Sequence, residues 1–246
     1  MNRNVKPEVT ILFPMYNEAE TAEAVISEFY KEVGDKIPVR IMVVEDGSTD
    51  NTKEVLKKLS ERIPMTLIMD NERKGYSKAV AEGLKKVDTK FVFFSDSDGQ
   101  HLARDFWMLY GLKDKYDIIS GWRIKRADSL HRRIMSKTFQ LMAETLFNLP
   151  SLRDITAPFR LMKTEVAKTI ASEFKYMKES FWTEFTIRAC KNGTKVVEVG
   201  VNHRNRLDGS TTIYKPSKIP KIALSQSKGM LKLWLELKTQ NHPPAF

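Results

Sequence analysis

Cysteine is nearly missing from this sequence: Cys190 is the only one in 246 residues. That excludes an internal disulfide and any cysteine-rich metal site, and it fits a reducing, cytoplasmic compartment. No apolar run approaches the roughly 18–20 residues of a membrane span. The opening stretch MNRNVKPEVTILFP enters a short strand rather than a signal peptide's apolar region, and it lacks a small-residue cleavage site. The four histidines, His101, His131, His203 and His242, have no zinc-ligand spacing. No glycine follows the first apolar run in PMYNEAE, which argues against a Rossmann dinucleotide site and against a Gly-rich nucleotidyltransferase loop. Few aromatics stand among the basic residues, so a platform for single-stranded nucleic acid is not expected, and no zinc-finger or RNA-binding signature is present.

Positive charge, by contrast, is in excess: the formal net charge is +10. It gathers between Arg123 and Arg133 and between His203 and Lys221. Anionic lipid headgroups and phosphorylated substrates are the partners such clusters suit. The length is enough for one large α/β domain or two small ones, with an ample core.

The first half alternates strand and helix signals. Strands are predicted at Val9–Pro14, Val39–Glu45, Met65–Asp70, Phe91–Ser95 and Asp117–Gly121. Helices are predicted over 19–33, after the capping turn DGSTDNT, and over 75–86. Near-continuous apolar strands separated by helices imply a mainly parallel sheet covered on both faces, an α/β fold. The second half is mixed. Helices are expected at 132–148, 165–172, 181–191 and 219–239, with strands at 155–163, bent at Pro158, and at 195–201 after an Asn192-Gly193 turn.

Ligands of parallel sheets bind at the carboxyl ends of the strands. Here those ends read PMYNE, EDGSTD, DNERKG, SDSDGQ and GWR. Five polar endings on consecutive strands form a constellation. In SDSDGQH, Asp96 and Asp98 stand one residue apart after a buried strand and converge in the turn that Gly99 suggests. Two hard carboxylates at a sheet mouth suit Mg²⁺ or Mn²⁺, which keeps open positions for substrate phosphates.

With PMYNE, VVEDGSTD, GYSKAVAEG, SDSDGQH, GWR, RRIMSK, WTEF and RNRLDGST in this order, the chain resembles the family 2 glycosyltransferases of GT-A fold. Within them it is most similar to the polyprenol-phosphate sugar synthases of the dolichol-phosphate mannosyltransferase type. The resemblance runs from Val9 to about Tyr214. It implies a nucleotide-sugar donor, UDP- or GDP-linked, whose pocket is lined by Pro14, Tyr16, Glu18, Val44, Asp46, Asp96, Ser97 and Gln100. It implies a metal held by Asp96 and Asp98, with Gln100 beside it. Arg123 and Arg206 would lie near donor or acceptor phosphates, Arg132 and Ser136 would hold an acceptor phosphate, and Glu184 would stand near sugar and acceptor. Asp46 equally suits a helix cap, Glu18 a first-turn carboxylate, and Arg132 with Ser136 a shared surface role.

A polyprenyl phosphate acceptor is already anionic and needs positioning rather than a strong base, so a single inverting displacement follows. A glycan or other hydroxyl acceptor would require a base, for which Glu184 or Asp154 is the candidate. The sequence departs from the family in Glu45 beside Asp46, in LARD after the QH pair, in DITAPF, and in GSTTIYK, where Lys215 stands in for an earlier lysine. The Gln-x-x-Arg-Trp motif of processive synthases is absent. Residues 1–215 are expected to form the catalytic domain and 216–246 an amphipathic helical segment. Ile222, Met230, Leu233, Trp234 and Leu237 form its apolar stripe among lysines. The segment is suited to packing or to the cytoplasmic face of a membrane.

Overall fold

The computed structural model describes residues 6–124, 130–206 and 219–240. A seven-stranded sheet forms its centre: β1 (Val9–Met15), β2 (Val39–Glu45), β3 (Met65–Met69), β4 (Phe91–Phe94), β5 (Ile118–Arg123), β6 (Arg160–Lys163) and β7 (Val196–Val201). Their order across the sheet is β3-β2-β1-β4-β6-β5-β7. All neighbours pair in parallel except β6, which runs antiparallel to both β4 and β5. The result is a mixed α/β fold with a largely parallel sheet flanked by helices, a GT-A Rossmann-like architecture.

Strand alternation divides the core. Ile11, Phe13 and Phe93 face one side, under α1 (Ala22–Phe29), α2 (Thr52–Ser60) and α4 (Phe106–Tyr110). Leu12, Val92 and Phe94 face the other, under α3 (Tyr76–Lys86), α6 (Thr164–Glu173) and α7 (Phe181–Lys191). Phe93 anchors the first side by edge contacts to Phe106 at 5.0 Å and Phe159 at 4.8 Å. Gly83 lets α3 approach the second side closely: a Cβ there would lie 2.8 Å from Val44 Cγ2 and 3.0 Å from Leu12 Cδ1. A third cluster joins α5 (Leu130–Phe147), α7 and α8 (Ile219–Gln240) through Ala143, Phe147, Ile187, Met230, Leu233 and Leu237. Three of those residues belong to the apolar stripe expected on α8.

Several boundaries differ from expectation. The helix over 19–33 starts later, at Ala22, because Asn17 adopts φ 55° and the Glu18 carbonyl accepts the Thr21 and Ala22 amides in a tight turn. It ends in a widened π-type turn over Tyr30–Gly34. The fifth strand runs on through Trp122 and Arg123, paired to Gly200 and Val201. The strand expected over 155–163 keeps only Arg160–Lys163, since the Arg160 guanidinium folds back onto the Ala157 and Ile155 carbonyls. The turn expected at Asn192-Gly193 is present, and Gly193, with φ 71°, makes it as the left-handed close of α7. Helix α4 was not expected; at five residues, it is too short to show a period. Among the described residues, no helix is long and apolar enough to cross a membrane.

Candidate active site

The loops leaving β1 and β2 are laced together at the carboxyl edge of the sheet. The Asn17 amide donates to Ser48 Oγ at 2.9 Å, the Thr49 amide to Asn17 Oδ1 at 2.8 Å, and the Glu18 amide to Thr52 Oγ1 at 2.9 Å. Thr21 donates to Glu18 Oε2 at 2.6 Å. The turn needs Gly47, whose φ of 66° and contact with the Glu72–Arg73 backbone leave no room for a Cβ. The Asp46 carboxylate accepts the Lys74 amide at 2.7 Å and the Gly75 amide at 2.9 Å, pinning the loop after β3 to the end of β2. Asp46 thus caps the approach to α3. Above it the Arg73 guanidinium lies 4.0 Å from the centre of the Tyr16 ring. Val44 faces α3, not the rim. Pro14 offers its carbonyl to Ser97 Oγ at 2.8 Å.

Asp96 and Asp98 follow β4 at the middle of this rim. Asp96 Oδ1 accepts the Tyr76 hydroxyl at 2.8 Å, and that hydroxyl accepts the Trp182 indole N–H at 2.9 Å. Burial, and then the Asp98 charge, push the Asp96 carboxyl up to about 7. Burial and the Asp96 charge likewise hold the Tyr76 phenol well above its usual range, so it stays a donor. Asp98 accepts the Gln100 amide at 3.0 Å and faces Arg206 at 3.1 Å. Gln100 donates its side-chain N–H to the Arg204 carbonyl at 3.2 Å, and Arg204 reaches Glu28 at 2.6 Å. His101 stacks on Phe159 at 4.8 Å and meets His203 edge-on at 5.3 Å. Burial, foremost, holds it well below its usual range and neutral.

This donor set fits a divalent cation. The two carboxylates are hard ligands whose mutual repulsion, visible in the raised Asp96, a cation would relieve. Among the described residues no group of three or more His, Cys, Asp or Glu is arranged for a metal. A Mg²⁺ or Mn²⁺ ion here would therefore draw its other ligands from water and donor phosphates, as such ions commonly do.

Further along the rim, Arg123 grips Asp154 with two bonds of 2.7 and 3.1 Å and reaches Thr156 at 3.1 Å. Asp154 is in turn held by its own amide's bond to Glu198 at 2.9 Å. Glu184 lies fully buried in α7. Its carboxylate accepts the amides of Lys175, Tyr176 and Met177 at 2.8–3.0 Å, and both Nε and a terminal nitrogen of Arg188. Five donors leave it no open lone pair for a substrate. Ser136 sits in α5, and the side chain of Arg132 lies outside the described residues, as does the part of RNRLDGST beyond Arg206.

The fold thus gathers Tyr16, Glu18, Asp46, Asp96, Ser97, Asp98, Gln100 and Arg206 on one rim, with Arg123 beside it on β5. Tyr76, Trp182, Arg73 and Arg204 are additions that sequence reasoning did not single out. The signal for Tyr76 was present: it opens α3 directly after Gly75, at the edge where ligands bind. Trp182 opens the WTEF motif, but nothing in the sequence ties it to Asp96, because that link is made only by the packing of α7 on α3.

The family profile described as Glycosyl transferase family 2 matches residues 10–171, about two thirds of the chain. Glycosyltransferase AglJ of Haloferax volcanii is 29% identical over 245 residues, spanning 95% of this chain and 73% of that protein. Dolichol-phosphate mannosyltransferase of Pyrococcus furiosus is 28% identical over 172 residues, 66% of this chain and 48% of that protein, so about half of that relative is matched. The crystal structure of glucosyl-3-phosphoglycerate synthase from Mycobacterium tuberculosis, in complex with Mn²⁺, UDP and glucosyl-3-phosphoglycerate, aligns with a TM-score of 0.69 at 15% identity. That alignment covers 92% of this chain and 80% of the other. At such identity, the likeness is one of fold.

Proposed function

The chain belongs to glycosyl transferase family 2, and from that premise we propose that it is a metal-dependent, inverting transferase acting on a nucleotide-sugar donor. The observation that carries this reading is the Asp96–Asp98 pair at the end of β4, with Arg206 paired to Asp98 and the Arg123 charge acting on Asp96. A divalent cation bound there would offset the charge that grows on the departing nucleoside diphosphate.

The chain's own residues supply the rest. Tyr16 and Arg73 offer a flat, cationic surface at the β1–β3 edge for the donor's base. Asp46 keeps the backbone beneath that surface fixed. Arg206 stands where its guanidinium can pass from Asp98 to a phosphate oxygen, through paired donors. Transfer is then one displacement. The acceptor oxygen bonds to the anomeric carbon, the bond to the diphosphate breaks, and the nucleoside diphosphate leaves with the electron pair.

For the acceptor we take a polyprenyl phosphate first. Its oxygen is anionic and needs no base, and both candidate bases are engaged, Glu184 by five donors and Asp154 by Arg123. Leu141, Met142 and Leu146 of α5 and Leu224, Leu231 and Leu235 of α8 are exposed. On α8, Lys221, Lys228, Lys232 and Lys238 are exposed with them, as suits an anionic membrane surface that presents a lipid acceptor. The likeness to a synthase crystallised with glucosyl-3-phosphoglycerate favours a second reading, a hydroxyl acceptor. In that case Arg123 would move to a phosphate and release Asp154 as the base.

The deciding experiment incubates the protein with Mn²⁺ and UDP- or GDP-linked sugars, offering polyprenyl phosphate in detergent, 3-phosphoglycerate, or glycan acceptors. Products are read by mass spectrometry. A glycosylated lipid phosphate supports the first reading. Product only on a hydroxyl acceptor replaces it with the second. No product with any pair contradicts the transferase itself.

A further inference from the structure

Asp96 is held by a relay that begins in the core. Trp182, the second residue of α7, is clamped between Phe94 at 4.6 Å, Phe181 at 5.0 Å and Phe185 at 5.2 Å, with the Arg160 guanidinium 4.7 Å from its ring. Its indole N–H has one direction open to it and donates to the Tyr76 oxygen at 2.9 Å. A phenol has a single proton. With the indole N–H on the oxygen's lone pair, that proton goes to Asp96 Oδ1 at 2.8 Å. Tyr76 is itself fixed, because the neighbouring Ser77 hydroxyl donates to the Lys178 carbonyl across to the loop before α7. Two neighbouring helices of the second half-core, α3 and α7, therefore converge on one carboxylate oxygen.

We propose that Tyr76, oriented by Trp182, is the positioning residue that sets the Asp96 carboxylate for a divalent cation and the nucleoside diphosphate it accompanies. The proposal rests on the reading of Asp96 and Asp98 as the cation site. A bidentate or swinging carboxylate would have to be ordered each time the ligand arrives. With one oxygen tied to a core-anchored phenol, that ordering is complete before binding. Sequence alone separates the partners by 20 and 106 residues along the chain, and only the packing of α7 against α3 unites them.

The test is Mn²⁺ titration followed by electron paramagnetic resonance, in the presence of saturating UDP or GDP, on wild type and on Tyr76→Phe, Trp182→Phe and the double variant. Tyr76→Phe keeps the ring and removes only the hydroxyl. Loss of a hydrogen bond to a charged group predicts Mn²⁺ affinity weaker by about tenfold or more, while the metal-free protein stays folded and loses only the stability due to the Trp182 indole N–H and the Asp96 oxygen left without their partner. Trp182→Phe is expected to shift affinity in the same direction by less. Because both act through one hydroxyl, the double variant should bind Mn²⁺ no more weakly than Tyr76→Phe alone. Additive losses, or a Tyr76→Phe protein with wild-type Mn²⁺ affinity, overturn the relay. Where Trp182→Phe lowers the melting temperature, Tyr76→Phe alone decides the matter. Asp96→Asn separates the two levels of the argument. If wild type and Asp96→Asn bind Mn²⁺ alike, the cation site fails; if only Asp96→Asn is impaired, the site stands and the relay falls.

Discussion

The rim above β1–β4 and the α5–α8 layer treat burial in opposite ways. On the rim three carboxylates are drawn away from water and tied to named partners. Asp46 meets two backbone amides, Asp96 meets Tyr76, and Asp98 meets Arg206. In the α5–α8 layer, leucines are left in water beside lysines, while the polar groups that are buried serve packing. Glu184 and Glu236 share Arg188 there. The contrast teaches that burial alone does not mark a functional carboxylate. Asp96 is raised to about 7 first by burial and then by the Asp98 charge beside it; Glu184, more deeply buried, accepts five hydrogen bonds and faces Arg188. A site to be filled by a cation is one where charge is left in excess.

Substitution at Asp98 should show the largest effect. Asp98→Ala is expected to lower sugar transfer by about 10²–10³-fold, the scale of removing one electrostatic stabiliser. Urea unfolding should change little, because removing Asp98 also relieves its repulsion with Asp96 and so offsets the lost bonds to the Gln100 amide and Arg206. Glu184→Ala should do the reverse. It strips a fully buried carboxylate from Arg188 and three amides, at a cost of about 3–5 kcal/mol in chemical denaturation. Equal stability losses for these two variants would erase the contrast. Gly83→Ala forces a methyl against Val44 and Leu12 and should cost about 1–3 kcal/mol by the same measurement.

Acid should reach the layer through Glu236. Burial opposes its ionisation, yet hydrogen bonds from Tyr176, Arg188 and Lys175 outweigh burial and pull it from 4.5 to about 2. A depressed carboxyl stabilises the fold above its unfolded value. That contribution is present above about pH 4.5 and is lost as pH falls through about 2. Hydrogen-exchange protection in α8, taken relative to the intrinsic exchange rate at each pH, should therefore fall across that window in wild type and not in Glu236→Gln. The smallest effect on folding belongs to the paired substitution Leu231→Ser/Leu235→Ser, within about 0.5 kcal/mol because both are exposed. Its signature is instead weaker sedimentation with anionic phosphatidylglycerol vesicles; unchanged sedimentation removes α8 from the membrane role.

The parallel half of the fold was legible because its strands are apolar throughout and each ends in turn chemistry. The reversal at β6 was not, since a four-residue strand carries no direction and its fully buried Arg160 reads in sequence as a surface charge. At the site, the apolar run before them placed Asp96 and Asp98 at the end of β4, while their reading as a metal pair was carried by the family resemblance more than by spacing. Glu184 resembled a catalytic carboxylate because sequence reports an acid on an apolar helix face without reporting who satisfies it. The answer lies in the loop 175–177, whose amides turn toward it only in the fold. Tyr76 and Trp182 stand in motifs that the sequence offers, but their link was hidden for the same reason: the bond between them joins two helices distant in the chain.

Calorimetric titration of UDP and of GDP into wild type and Asp98→Ala, each with and without Mn²⁺, tests the account most directly. The predicted result is binding of one nucleotide that strengthens with Mn²⁺ in wild type and loses that metal dependence in Asp98→Ala. Nucleotide affinity indifferent to Mn²⁺ in wild type, or equally metal-dependent in both proteins, would contradict it.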